Sequence, residues 1–293
     1  MRYSLRQIQI FREVALQLSY TRAADSLNLT QPATFAQVRQ LEAHLGQKLI
    51  ERLGKTLHLT EAGRLVLQSA QRMLEEVDNL DMALAELDGL VRGHLRLAVV
   101  STAKYDMPAR IGAFVAAYPG IEVTLTVGNR EDLIARFTAN ADDLYVFGTP
   151  PRELNASSHA FAKNPLVVIA PAAHPLSGRT ALSLADLARY PFLMRESGSG
   201  TRLAVERAFD SVGVSPQRLI ELGANEAVKQ GVISGLGLSV LSRSTVKLEL
   251  RHGYLVELDV ESFPILREWH VIRPAGKRLS RAAEAFLKDL VGS

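Results

Sequence analysis

Hydroxyls, glycines and guanidinium groups gather in short stretches beyond residue 100. Ser101-Thr102-Ala103-Lys104 follows the apolar run HLRLAVV, and Thr149 follows DLYVFG. RESGSGTR, residues 195–202, follows PFLM, and Asn225 follows RLIEL. The stretches at 101, 195 and 225 sit where a strand gives way to a helix. There the first backbone N–H groups are unpaired and the helix dipole favours an anion. Gly198 and Gly200 let the backbone fold into a nest of donors, between Arg195 and Arg202. Ser101, Thr102, Lys104, Thr149, Arg195, Ser199, Gly200, Thr201, Arg202 and Asn225 are therefore candidates for holding a small anion. Plain helix capping is the alternative for each loop taken alone.

Catalysis finds less support. The histidines have no HExxH or comparable metal spacing, and no G-x-S-x-G elbow is present. No G-x-x-x-x-G-K-[ST] loop occurs, so nucleotide hydrolysis has no motif behind it. No catalytic residue, metal ligand or bound cofactor is assigned, and Trp269 reads as core or cleft wall.

The loops need a scaffold, and the pattern from Gly93 onward supplies one. Strand-like runs at 94–100, 121–127, 143–148, 166–170, 237–241 and 269–273 alternate with amphipathic helices. The helices fall at about 106–118, 131–139, 182–188, 201–211, 226–234 and 282–290. Alternation of this kind predicts parallel sheets in two α/β lobes. Lobe I is expected at about 90–165 and 270–293, and lobe II at about 166–269, with the anion-friendly loops converging between them.

The first 59 residues read differently. A helix from about Ser4 to Leu18 has Leu5, Ile8, Phe11, Ala15 and Leu18 on its inner stripe. A second, Thr21 to Leu27, is capped by Thr21. A third is capped by Thr30, with Pro32 in its first turn. Thr34, Val38, Leu41 and Leu45 face inward on that third helix. Gln31, Pro32, Phe35, Ala36, Arg39 and Ala43 face outward. An ordinary helical hairpin has this outline, and so does a helix-turn-helix that enters a DNA major groove. LIERLGKTLHL then predicts a short hairpin, a wing, with Arg52 and Lys55 near its tip.

Charge supports the DNA reading. Up to His58 the bases Arg2, Arg6, Arg12, Arg22, Arg39, Lys48, Arg52 and Lys55 face only Glu13, Asp25, Glu42 and Glu51, while the whole chain carries +3. A basic segment on a near-neutral body points to a polyanion for that segment. Thr30, Gln31, Pro32, Phe35, Ala36, Arg39, Arg52 and Lys55 are the candidate DNA contacts. Between the two parts, residues 60–89 predict one long helix. Val66, Ala70, Met73, Val77, Leu80, Leu84 and Leu87 recur at alternating spacings of four and three residues. That is an a/d seam, which predicts a coiled-coil homodimer.

The chain of 293 residues has no cysteine, which excludes disulfides. No apolar run approaches the roughly 20 residues needed to cross a bilayer. MRYSLRQIQIF lacks a secretion-signal pattern, so the cytoplasm is the expected location and no membrane partner is expected.

The order of parts resembles the LysR-type transcriptional regulators over essentially the whole chain. SYTRAADSLNLTQPATFAQVRQLE (19–42) and LIERLGKTLHLTEAG (49–63) carry the resemblance, with the two-lobe pattern behind them. LAVVSTAKY (97–105), VGNRE (127–131), NPLVVIAP (164–171), RESGSGTR (195–202), ELGANEAVKQGVISGLGLSVLSR (221–243) and GKRLS (276–280) are similar to the CbbR branch. That branch controls Calvin-cycle operons; a bicarbonate-transport regulator is the nearest alternative. The resemblance implies an α+β multidomain protein: a winged helix-turn-helix, a coiled-coil linker helix, and a two-lobed effector domain like the periplasmic binding proteins. It implies a homotetramer on bent, dyad-symmetric double-stranded DNA, RNA polymerase as a further partner, and no enzymatic activity. The effector it implies is a phosphorylated metabolite or an NADPH-like ligand bound between the lobes. Phe35 stands where the family usually has serine, and Asp106 and Tyr145 depart from the usual residues near the cleft. A solute-binding protein without DNA, or an enzyme with a phosphate-binding loop, are the readings from other classes.

Overall fold

The computed structural model describes residues 3–54, 56–87 and 92–292. Chain contacts divide it into two compact units, Met1–Gly93 with Thr138–Ala141, and His94–Phe137 with Asp142–Ser293.

The first unit begins with α1 (Leu5–Gln17), whose N-cap Ser4 forms a capping box with Gln7. Ile8, Ile10, Phe11, Val14 and Ala15 are its buried face. Leu5 and Leu18, expected on that stripe, are 50% and 43% exposed. Leu18 already lies outside the helix, with φ at 46°. Helix α2 is Tyr20–Ser26 and its cap is Ser19 rather than Thr21, because the Ser19 hydroxyl accepts from the Arg22 N–H. Asn28 turns the chain through positive φ into α3 (Gln31–Leu45). There Thr30 caps the Ala33 N–H at 3.3 Å and Pro32 occupies the first turn. Gly46, at φ 67°, ends the helix.

The wing is an antiparallel hairpin of β1 (Ile50–Leu53) and β2 (Thr56–Leu59). One carboxylate joins it to α3. Buried Glu42 accepts from the backbone N–H groups of Leu49 at 2.8 Å and Ile50 at 3.2 Å. Helix α4 (Glu61–Leu87) follows, with the Thr60 hydroxyl accepting from the Gly63 N–H. The expected seam divides along this helix. Ala70 is fully buried in the core of its own unit, beside Leu67, and Val66 packs on the same cluster. Ala70 has no free surface for a partner, whereas Val66 is only partly buried. Met73 and Leu80 are 40% and 58% exposed and Val77 is half-buried. The Leu84 and Leu87 side chains lie outside the described residues.

The second unit has two five-stranded sheets. The first contains β3 (Arg92–Val100), β4 (Gly120–Gly128), β5 (Leu144–Phe147), β6 (Ala156–Lys163) and, much later, β12 (Glu268–Pro274). Between them run α5 (Met107–Ala117) and α6 (Arg130–Thr138). The second sheet contains β7 (Leu166–Pro171), β8 (Pro191–Arg195), β9 (Arg218–Leu222), β10 (Leu238–Ser242) and β11 (Leu255–Glu257). Its helices are α7 (Leu184–Ala188), α8 (Gly200–Ser211), α9 (Asn225–Ile233) and α10 (Lys247–Arg251). Helix α11 (Arg281–Val291) closes the chain on the first lobe, where Phe286 meets Phe114 edge-on at 5.0 Å.

Strand orders are β4-β3-β5-β12-β6 and β11-β7-β10-β8-β9. Both sheets are mixed, not parallel. β12 runs antiparallel to β5 and β6, and β7 antiparallel to β10 and β11. The returning chain enters each sheet from the opposite end, which alternation alone cannot reveal. β6 and β11 were not expected: ASSHAFAK is an exposed edge with little apolar alternation, and β11 is three residues long. Lobe I resumes at Glu268, slightly before the predicted 270. Along β7, Leu166, Val168 and Ala170 join one core cluster while Val167 and Ile169 join another, so both faces of this strand are covered.

Gly63 packs directly against the backbone that leads into the wing. A methyl added there would lie 2.0 Å from the Leu49 carbonyl oxygen. Gly63→Ala should therefore destabilise this unit by about 1–3 kcal/mol, read as a lower melting temperature of the full chain; an unchanged melt would contradict the packing.

Candidate functional site

The outer face of α3 is the candidate polyanion reader. Gln31, Pro32, Phe35, Ala36 and Arg39 are all exposed along it, with Thr30 at its start. Glu42, the one carboxylate of α3, is buried. On the wing, Arg52 is exposed and its Nε donates to the Gly54 carbonyl at 3.0 Å. Lys55 lies outside the described residues. A groove-sized helix with amide, aromatic and guanidinium groups beside a basic hairpin can read base edges and hold phosphates at once.

The second unit has a narrow cleft between its lobes, enclosing about 30 Å³. Seven of the predicted anion-binding residues line it: Ser101, Thr102, Thr149, Arg195, Ser199, Gly200 and Thr201. Their placement follows from the fold. Strand β3 ends at Val100 and β5 at Phe147, so Ser101-Thr102 and Thr149 emerge side by side from parallel neighbours. Across the cleft, β8 ends at Arg195 and α8 starts at Gly200, capped by Ser199, whose hydroxyl accepts from the Arg202 N–H at 3.4 Å.

Three predicted residues do not line it. Lys104 is turned to Glu226, at 2.7 Å. Arg202 is held by Glu206 at 2.7 Å and Glu221 at 2.5 Å, and it donates to the Arg195 carbonyl. Asn225 lies behind the wall, where its Oδ1 accepts from Arg195. Asn225 therefore acts on the cleft only through Arg195, and Arg202 is a brace for the loop. Tyr145 is not near a ligand either. Its hydroxyl accepts from the Asp142 N–H and donates to the Arg136 carbonyl in the lobe core. Asp106 accepts from the indole N–H of buried Trp269 at 3.0 Å.

Sequence reasoning missed Asn129, Arg130, Phe147, Gly148 and Arg267. Asn129-Arg130 had a readable signal, since it is one more strand-to-helix loop, after β4. Arg267 had none, because it lies on the irregular return between lobes. The cations differ in their partners. Buried Arg195 is neutralised by Glu196, with contacts of 2.6 and 2.7 Å. Arg130 donates to the Thr149 carbonyl at 2.7 Å, with Glu153 more distant at 3.8 Å. Burial lowers its pKa, Glu153 opposes this, and Arg207 adds to it. Arg267 donates to the Gly200 carbonyl at 3.1 Å and has no carboxylate partner among the described residues. Its buried Nε has no hydrogen-bond partner, and burial pushes its pKa down to about 10. An uncompensated guanidinium in a partly closed cleft strongly favours an arriving anion.

A family model described as the bacterial regulatory helix-turn-helix protein, lysR family, matches residues 5–64, and one described as the LysR substrate binding domain matches residues 88–292. The chain belongs to the LysR family. Members of this family are DNA-binding transcriptional regulators, and the two model matches fall on the two sites described above. The RuBisCO operon transcriptional regulator of Allochromatium vinosum is 49% identical over 286 residues, covering 98% of this chain and 95% of the relative. That of Acidithiobacillus ferrooxidans is 44% identical over 287 residues, covering 98% and 93%. A solved structure, the CcmR regulatory domain of Synechocystis PCC6803 in complex with 2-PG, is 46% identical, with a TM-score of 0.66. The match covers 68% of this chain and 96% of that one. Among the described residues no helix is long and apolar enough to cross a membrane.

A second contact latches the two lobes of the LysR domain together. Tyr105 and Lys104 of lobe I both meet the Glu226 carboxylate at the start of α9, and Lys229 lies 5.2 Å from the Tyr105 ring centroid. Burial raises the Glu226 pKa, but hydrogen bonds from Lys104 and Tyr105 outweigh it and hold the group at about 2, against 4.5 normally. A depressed carboxyl pKa stabilises above the unfolded value and loses that contribution only as pH falls through the folded value. The melting difference between the wild type and Glu226→Gln should therefore match at about pH 5.5 and about pH 8, and shrink only below about pH 4. A difference that grows steadily between pH 5.5 and 8 would contradict the latch.

Proposed function

We propose that this chain is a LysR-type transcriptional regulator of the RuBisCO, or cbb, operon, and that its cleft senses a small phosphorylated metabolite. The observation that carries the sensing half is Arg267, an unpaired cation facing the capped N-terminus of α8 and the hydroxyls of Ser101, Thr102 and Thr149. The promoter assignment rests on relatives at 49% and 44% identity over nearly full length. The 2-PG held by the CcmR regulatory domain has the anionic chemistry this cleft suits. The chain needs no cofactor in this reading and catalyses no reaction.

The lobes act as a clamp of the periplasmic-binding-protein type. An anion bridging Ser199-Gly200-Thr201 and Ser101-Thr102 draws them together, because its charge is shared by donors from both. Met73, Val77 and Leu80 of α4 are left to form a helix-to-helix contact in a homodimer, and pairs of dimers form the tetramer. RNA polymerase is the downstream partner, and the cytoplasm is the working compartment. On DNA, Gln31 pairs with an adenine edge, Ala36 packs on a thymine methyl, and Arg39 reaches a guanine, while Arg52 anchors the wing on a phosphate.

Footprinting the full chain on DNA upstream of the RuBisCO genes, with and without 2-phosphoglycolate, ribulose bisphosphate or NADPH, tests the whole reading. Protection that shifts in extent with one of them is expected, and no specific protection would sink it. Arg39→Ala should reduce the preference for that DNA over random duplex by roughly 1–3 kcal/mol. Arg52→Ala should weaken both about equally and lower the salt slope by about one. For the cleft, Arg267→Gln should melt no lower than wild type without ligand, yet bind 2-phosphoglycolate roughly 10–100-fold more weakly by calorimetry. Unchanged affinity would remove Arg267 from the site.

A further inference from the structure

Phe35 is 41% exposed on the face of α3 that meets DNA, yet its ring is engaged from two sides. Tyr20, at the start of α2, meets it edge-on with centroids 5.2 Å apart and planes at 68°. The Arg39 guanidinium carbon lies 5.3 Å from the ring centroid. Four residues along a helix brings the two side chains onto the same face, so this contact needs no distortion. Arg39 is held at a second point, because its Nη1 donates to Glu42 at 3.0 Å. Glu42 is itself fixed by the wing backbone through its other oxygen. Among the described residues, no hydrogen bond occupies the Nε or Nη2 of Arg39. The fork that would read O6 and N7 of a guanine is thus both free and fixed in direction.

We infer that Phe35 is a positioning residue for Arg39. Its ring face, braced by Tyr20, holds the guanidinium in the orientation in which it reads a base. This rests on the regulator reading above, and gives Phe35 a role other than packing on a thymine methyl. An unrestrained arginine loses several rotamers when it docks in a groove. One already stacked on an aromatic face loses fewer, so more of the contact energy appears as discrimination.

Leucine and tyrosine at position 35 separate the two roles. Leucine keeps an apolar surface for a methyl group but has no ring face, whereas tyrosine keeps the face. The full-length wild-type chain is used to select duplexes from a random DNA library. Affinities for the selected and for scrambled duplexes are then measured at one salt concentration for wild type, Phe35→Tyr, Phe35→Leu and Arg39→Ala. Phe35→Tyr should stay within about twofold of the wild-type ratio, and Phe35→Leu should lower it roughly tenfold. Phe35→Leu should also lose preference at the base position that Arg39→Ala blurs, with an unchanged salt slope and melting temperature. Retention of the ratio by Phe35→Leu, or loss at a different base position, would overturn the positioning role while leaving the regulator reading intact. A wild type that enriches no motif would overturn both.

Discussion

A buried guanidinium is costly unless it is partnered, and in the second unit Arg195 has partners on several sides. Glu196 neutralises it, Asn225 accepts from it, and the Ser101 hydroxyl accepts from it at 3.2 Å across the lobe boundary. Its own carbonyl takes a hydrogen bond from Arg202 Nη1, which also donates to Glu221, while Arg202 Nε donates to Glu206. The loop that starts α8 is therefore rigid before any ligand arrives. The adjoining Ser199-Gly200-Thr201 donors inherit that rigidity, and a donor set fixed in advance does not have to be ordered by the anion it meets.

Arg267 is the counterpoint. Where Arg195 is satisfied within the protein, Arg267 has only a carbonyl and an unfilled Nε. The division is physically sensible. If every cation in the cleft had its own carboxylate, an incoming anion would have to displace it. If none had, the ligand-free lobes would repel one another. Two arginines with carboxylates, Arg195 and Arg130, and one without, Arg267, give a cleft that stays assembled and still attracts charge. The Glu226 latch contributes to the same balance, through a carboxyl held well below its usual range by Lys104 and Tyr105.

Much of this could be read in the residues. The Thr30 cap, the wing, and the strand-to-helix loops all announce themselves through local chemistry, because caps and turns are decided within a few residues. Non-local facts stayed hidden. Strand direction in both sheets depends on where the chain returns from, not on the strand's own composition. The seam of α4 had the right period, but periodicity cannot say whether Ala70 faces a partner or α1. Lys104 and Arg202 were assigned to the ligand because cations near an anion seat look alike in sequence. Their true partners, Glu226 and Glu221, are brought to them only by the fold. Arg267, on an irregular segment, had no periodicity to be read against.

Glu42 has a consequence for how such a protein can diverge. Its carboxylate holds the wing through two backbone N–H groups, and Arg39 is attached to it only from outside. Replacing the residue at position 39 leaves the wing anchor intact, since the backbone donors still satisfy the buried oxygen. The part of the molecule that chooses a DNA sequence is thus separable from the part that keeps the domain folded. Regulators built this way can acquire new operators one side chain at a time, without passing through an unfolded intermediate.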